Sequence, residues 1–277
     1  RVALGRRRAM VAAEPTFDMF ACYGRQAGAD LAAVEWPAGA FPTAAIIGAV
    51  RRGGPRLGMV PIVSPNNPTG EVADGDALLA ISAAAPDAMV VVDHAYVEYG
   101  GEDLTRLALR LPNAVTIRTF SKAWGLAGCR VGYVVGRSEL VERLRSVGGP
   151  YPVAATSLAL AELSLERGGA RLDATIATTR AEREQLQAWL YVRGIAQRAS
   201  VANFVVFAPR SEVADAPTPG ESRRAAVQFC DAMASRGFAI KALAHSLEGW
   251  VRITMPCDEA IFKRLCSALE ATIGSTR

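Results

Sequence analysis

The sequence predicts an α/β protein: a mostly parallel central sheet with helices on both faces, followed by a smaller C-terminal α+β unit. Three observations lead there. Met89-Val90-Val91-Val92 is an unbroken apolar run, too continuous for a one-sided strand and suited to a sheet covered on both faces. Strand-like and helix-like stretches alternate through the first half of the chain, as crossover connections between parallel strands require. Polar, glycine-rich segments directly follow the buried runs, at the strand ends where open α/β sheets hold ligands.

The elements follow in order. Ala9 to Ala13 reads as a short strand, ending at Glu14-Pro15-Thr16-Phe17. Met19 to Ala29 has helical spacing, and the residues after it read as a polar loop leading to a buried strand, Arg56 to Val63. Ser64-Pro65-Asn66-Asn67-Pro68-Thr69-Gly70 enforces a rigid turn. Glu71 to Ala85 is predicted helical with Val72, Leu78, Leu79 and Ile81 inward, closed by Pro86. After the Met89–Val92 strand come a short helix, Leu104 to Leu111, a stop at Pro112-Asn113 and a strand, Ala114 to Arg118. Two successive strand–crossover–strand steps put Asn67, Asp93 and Lys122 at one edge of a parallel sheet.

Val131 to Val135 is a further strand, and Ser138 is placed to cap a helix from Glu139 to Val147. Gly148-Gly149-Pro150-Tyr151-Pro152 breaks the chain, and Ala154 to Gly194 is helical with an interruption at Gly168-Gly169. The predicted division is residues 1–170 and 171–277. The second part carries strand signals at Asn203–Phe207, Phe238–Ala242 and Trp250–Thr254, helices at Glu221–Arg236 and Glu259–Ile273, and a surface loop at Pro217-Thr218-Pro219-Gly220.

Composition excludes several functions. With 277 residues, 51% hydrophobic and 21% charged, the chain is long enough for a large core. Its net charge of +4 is spread along the sequence, with Arg6-Arg7-Arg8 the main basic cluster, so nucleic acid is not an expected partner. No apolar run reaches the roughly 18 residues of a spanning helix, no membrane partner is expected, and no signal-peptide pattern opens the sequence, so the expectation is cytoplasmic. The 5 cysteines form no Cys-x-x-Cys pair, and with only His94 and His245 neither a metal centre nor a Ser/His/Asp triad is supplied.

The chemistry concentrates in Thr119-Phe120-Ser121-Lys122-Ala123-Trp124-Gly125-Leu126-Ala127-Gly128-Cys129-Arg130. Thr119, Ser121 and Arg130 can bind one phosphate through hydroxyls and a forked cation. A lysine desolvated beside a cation becomes a nucleophilic amine. Phosphate donors flanking such a lysine suggest pyridoxal phosphate held as a Schiff base.

This segment, continued through Val131-Gly132-Tyr133, resembles the Schiff-base segment of fold-type I aminotransferases, most of all their histidinol-phosphate branch. Glu14-Pro15-Thr16-Phe17, Pro65 to Gly70, Asp93-His94-Ala95-Tyr96, Ala202-Asn203-Phe204 and Arg252-Ile253-Thr254 extend the resemblance over nearly the whole chain. It implies that Lys122, Asp93 and Tyr96 are catalytic, with Asp93 holding the pyridine nitrogen protonated. Asn67 and Tyr96 would meet the phenolic oxygen of the cofactor, and Phe17 would stack on its ring. Arg252, Asn203 and Lys241 would contact substrate.

The implied activity is amino transfer from histidinol phosphate to 2-oxoglutarate by a ping-pong mechanism, in histidine biosynthesis, by a homodimer. An aromatic or general amino-acid aminotransferase, a phosphothreonine decarboxylase and a catalytically incompetent fragment of the fold stay open. The sequence departs from the pattern in three places: His94 stands where glutamate is usual, Lys241 where the histidinol-phosphate branch has arginine, and the family carries a further segment before the point corresponding to Arg1. That segment supplies donors to the cofactor phosphate and an arm to the partner subunit, so the resemblance implies a chain that begins in mid-domain.

Overall fold

The computed structural model describes residues 3–209 and 219–274. Its first element, β1 (Ala9–Glu14), is followed by α1 (Asp18–Gln26), β2 (Asp30–Glu35), α2 (Thr43–Gly53), β3 (Leu57–Val63), α3 (Gly75–Ala84), β4 (Met89–Asp93), α4 (Thr105–Ala108) and β5 (Ala114–Thr119). The chain then forms β6 (Gly132–Gly136), α5 (Ser138–Arg145), α6 (Ala155–Arg167) and α7 (Gly169–Val192). Last come β7 (Phe204–Phe207), α8 (Pro219–Ala234), β8 (Lys241–Ala242), β9 (Val251–Thr254) and α9 (Glu259–Gly274).

The larger sheet has six strands in the order β2-β1-β3-β4-β5-β6, all pairs parallel except the antiparallel β5–β6. Its two faces can be read from residue parity. Val11, Ala13, Val60, Ile62, Val90 and Val92 join the side chains of α2, α3 and α4 in one core. Met89, Val91 and Val115 pack with Leu140 of α5 and Phe20 of α1 on the other face. Each fully buried branched side chain here contributes roughly 1.5–3 kcal/mol, which explains why the whole of β4 is buried. The smaller sheet, β7-β9-β8, is antiparallel and packs against α7, α8 and α9 around Leu186, Phe229, Met233 and Leu269.

Several expectations are corrected. The polar loop expected after α1 instead holds β2 and α2. β2 is an edge strand with the pattern exposed, intermediate, exposed, exposed, buried, exposed, so it carries little apolar alternation; α2 does bury Ile46, Ala49 and Val50 at helical spacing. The α3 helix begins only at Gly75, where Asp74 caps it by accepting the Ala77 amide, leaving Val72 before the helix and Leu79 on its outer side, both exposed. Ser138 is the first residue of α5 rather than its cap. The Phe238–Ala242 strand shrinks to Lys241–Ala242, and Trp250 precedes β9. Pro219 and Gly220 open α8, while residues 217 and 218 of the expected loop, like Arg1 and Val2, lie outside the described residues. Among the described residues no helix is long and apolar enough to cross a membrane.

Asn113, read in sequence only as part of a helix stop, closes the end of α3. Its amide donates to the carbonyls of Ser82, Ala85 and Ala88 at 3.2, 2.7 and 3.2 Å, and its oxygen accepts from Ser82 Oγ at 2.6 Å. It is 6% exposed, so removing it strands buried carbonyls. Asn113→Ala is expected to lower unfolding stability by about 2–3 kcal/mol, read as a fall in the urea midpoint at unchanged slope.

Candidate active site

The carboxyl ends of β3, β4 and β5 lie side by side, because the parallel register pairs Val63 with Asp93 and Asp93 with Ile117. The turn after β3 is held from within. Buried Asn66 donates to Pro15 O and Thr69 Oγ1, each at 2.9 Å, and accepts from Thr16 Oγ1 at 2.9 Å. Gly70 has φ +78°, and a Cβ there would meet Ser200 Oγ at 1.9 Å, so this tight approach requires glycine. With Asn66 spent on the turn, its neighbour Asn67 is the amide presented to solvent space.

That space is a cleft of about 860 Å³ whose lining includes Phe17, Asn67, Tyr96, Lys122, Lys241 and Arg252. Lys122 Nζ lies over the Tyr96 ring, 5.0 Å from its centroid. Arg252 Nη1 donates to Asn67 Oδ1 at 2.6 Å, the partner that a guanidinium in β9 needs. Phe17 stands just before α1 and is 38% exposed.

Asp93 is buried and does not itself line the cleft. It is 9% exposed, and its Oδ1 accepts the Ala95 amide at 3.0 Å. Burial raises its pKa above the usual carboxylate range, against the lowering effects of that amide and of the Lys122 ammonium. Acid and amine therefore sense each other electrostatically, as the common strand edge requires.

Thr119, Ser121 and Arg130 cluster on the segment that carries Lys122, next to the residues that line the cleft. The Ser121 amide donates to Thr119 Oγ1 at 3.1 Å, and Arg130 Nη1 donates to Ser121 Oγ at 3.5 Å and to Ala127 O at 3.0 Å. Arg130 is exposed, with φ +55°. Asn203 misses the cleft; it lies near Tyr99, whose pKa burial raises. The structure thus joins Asn67, Tyr96, Lys122, Arg252, Lys241 and Phe17 in one space, keeps Asp93 buried within electrostatic reach of Lys122, and leaves Asn203 outside the lining.

His94 points away from Asp93 into the core and is fully buried. Its Nδ1 contacts Ser64 O at 2.5 Å, and its Nε2 accepts the Leu104 amide at 2.9 Å. The ring is therefore a neutral imidazole that donates from Nδ1 and ties β3 to the start of α4. Arg118 is likewise structural, pairing with Glu98 at 2.9 Å and Asp103 at 2.8 Å.

Sequence reasoning missed Arg25 and His245 on the cleft wall, and Arg183 behind it. Arg183 donates to the carbonyls of Tyr99 and Ala202 at 3.4 and 3.0 Å, tying the segment after β4 to the residues just before β7. A signal existed: Glu182 and Arg183 sit in the buried stripe Thr179, Leu186, Leu190 of α7, where charged residues need a special reason. Arg25 and His245 carry no comparable signal, since both are exposed.

Fold and site together define an α/β protein with a cleft at the carboxyl edge of a parallel sheet, lined by an amine, Lys122, with buried Asp93 within electrostatic reach of it. The profile of the family described as aminotransferase class I and II matches residues 1–269, and the chain belongs to that family. It is 34% identical over 223 residues to a histidinol-phosphate aminotransferase of Paracoccus denitrificans, covering 78% of this chain and 56% of that protein. It is 43% identical over 145 residues to an aromatic amino acid aminotransferase of Corynebacterium jeikeium, covering 50% of this chain and 38% of that one. The chain thus spans about half the length of these relatives or less. The crystal structure of histidinol-phosphate aminotransferase from Sinorhizobium meliloti in complex with pyridoxal-5'-phosphate superposes with a TM-score of 0.86 at 23% identity, covering 100% of this chain and 73% of that one, which establishes the shared fold.

Burial lowers the pKa of His94 below its ordinary value of 6.5, outweighing the raising effect of the Ser64 carbonyl. Because the folded-state value is the lower one, the stabilisation is fully present above pH 6.5 and is lost as pH falls from there through the folded pKa. The urea midpoint should therefore drop progressively below pH 6.5, and His94→Gln should show a shallower drop over the same range.

Proposed function

We propose that this chain is the cofactor-binding core of a pyridoxal-phosphate-dependent aminotransferase in which Lys122 is the reactive amine. The observation that carries this reading is the Lys122 amine on the cleft wall, directly beyond β5, within electrostatic reach of buried Asp93. The donor set fits the cofactor. Lys122 suits its aldehyde, Asp93 a pyridine nitrogen, Asn67 and Tyr96 a phenolic oxygen, Phe17 the ring face, and the Thr119–Ser121–Arg130 cluster a phosphate.

When bound, pyridoxal phosphate supplies an aldehyde that captures amines and a ring that withdraws electron density from the adjoining carbon. Asp93, excluded from water and biased toward a raised pKa by burial, is held ionised by a facing cation, the service a protonated pyridine nitrogen provides. Lys122 would hold the cofactor aldehyde and, as a free amine, would be the base that takes the proton from the α-carbon of the amino donor. Arg252 orients the donor through its carboxylate or phosphate, a task that suits a forked guanidinium.

Histidinol phosphate is the preferred donor and 2-oxoglutarate the acceptor, used in turn. The Paracoccus relative supports this choice; Lys241, a cation on the cleft wall, stands where that branch has arginine and offers charge without the fork. An aromatic amino acid is the second reading, favoured by the Corynebacterium relative and by Phe17 and Phe20 on the cleft wall. The reading includes a homodimer in the cytoplasm and a division into domains near residue 170, which the break between α6 and α7 supports.

Purified protein incubated with pyridoxal phosphate is expected to turn over histidinol phosphate in the presence of 2-oxoglutarate. Lys122→Ala should lower kcat by roughly 10²–10⁴-fold or more and abolish borohydride trapping of the cofactor at that position; undiminished turnover in the variant sinks the reading. Asp93→Asn should keep cofactor bound while lowering kcat by at least about 10²-fold.

A further inference from the structure

Arg252 is held by contacts that do not neutralise it. Its Nη1 bonds an amide oxygen, Asn67 Oδ1, and its guanidinium carbon lies over the Phe204 ring, 5.0 Å from the centroid. Its Nε is buried without an acceptor, and no ion pair to Arg252 occurs among the described residues. Phe204 is 1% exposed and lies behind the arginine rather than on the cleft wall. It also meets the Tyr96 ring edge to face, centroids 5.2 Å apart at 85°. Two cations of the cleft, Lys122 over Tyr96 and Arg252 over Phe204, thus rest on one aromatic pair that joins the loop after β4 to β7.

The choice of a ring behind Arg252 has a physical consequence. A carboxylate there would accept two N–H groups and compete with an incoming anion. An aliphatic side chain would fill the space but offer no attraction to the charge. A ring face attracts the cation through its quadrupole and uses no in-plane hydrogen bond.

We propose that Phe204 is a positioning residue for anion capture, whose ring face holds the Arg252 guanidinium while leaving its terminal N–H donors free for the anionic group of the ligand. The inference rests on the reading of Arg252 as the holder of that anion.

Fluorination of the ring tests it, because 4-fluoro-, 3,5-difluoro- and 3,4,5-trifluorophenylalanine keep its shape closely while draining its negative face. Each is placed at position 204 of the chain loaded with pyridoxal phosphate, and the Kd for 2-oxoglutarate is measured by titration calorimetry beside the melting temperature. The Kd is expected to rise stepwise, reaching roughly three- to tenfold with three fluorines, at an unchanged melting temperature. In the Arg252→Gln background the series should be flat. A flat series with Arg252 present, or a Kd that only follows falling stability, overturns the role of Phe204. If Arg252→Gln alone binds 2-oxoglutarate as tightly as the parent, the reading of Arg252 itself fails, a separate outcome from failure of the ring.

Discussion

The parallel pairing of β3, β4 and β5, buried on both faces, constrains everything else in this protein. A strand with Val60 and Ile62 on one side and Met59 on the other has no room for polar groups along its length. Polar chemistry is therefore pushed to the strand ends, and parallel register brings those ends together. Val63, Asp93 and Ile117 stand opposite one another, so the turns beyond them share one space. Asp93 is the exception that marks the site: an acid inside the sheet, desolvated, answered by one backbone amide and by the charge of Lys122.

The second constraint is the joint between the two sheets. Glu71 and Arg198 form an ion pair of 2.9 Å with side chains only 4% and 9% exposed, and Glu71 also accepts the Gly39 amide. Such a pair adds little net stability compared with apolar packing, but breaking it leaves an uncompensated buried charge, so it fixes relative placement. Arg180 and Arg183 of α7 grip the backbone near Tyr99 and Ala202, and Arg252 reaches across to Asn67. The cleft lies along this joint. Of these guanidinium groups Arg252 lines the cleft, and its bond to a neutral amide oxygen leaves its cationic character available to a ligand.

The order of strands and helices around the carboxyl edge was legible because each buried strand there starts as an apolar run that gives way to polar residues, as at Asn66-Asn67, Asp93-His94 and Ser121-Lys122. The edge strand β2 was not, since an edge strand with mostly exposed residues lacks the apolar pattern that marks its neighbours. Asn113 and His94 show a different limit. Both are polar residues whose partners lie on other elements: Asn113 bonds α3, and His94 bridges Ser64 and Leu104. Nothing in their immediate neighbours in sequence announces those bonds.

What the sequence alone determined is where the polar groups gather, because Lys122, Asp93, Asn67 and the hydroxyls around them are set at fixed distances from strand ends, and local pattern suffices to find strand ends. What only the tertiary structure decided is which cations and rings face one another. Arg252 and Asn67 are 185 residues apart in the chain yet 2.6 Å apart in space, and Phe204 acquires its place beneath the guanidinium only when β7 and β9 pair. Contacts of that kind arise from packing one sheet against another, and no local periodicity encodes them.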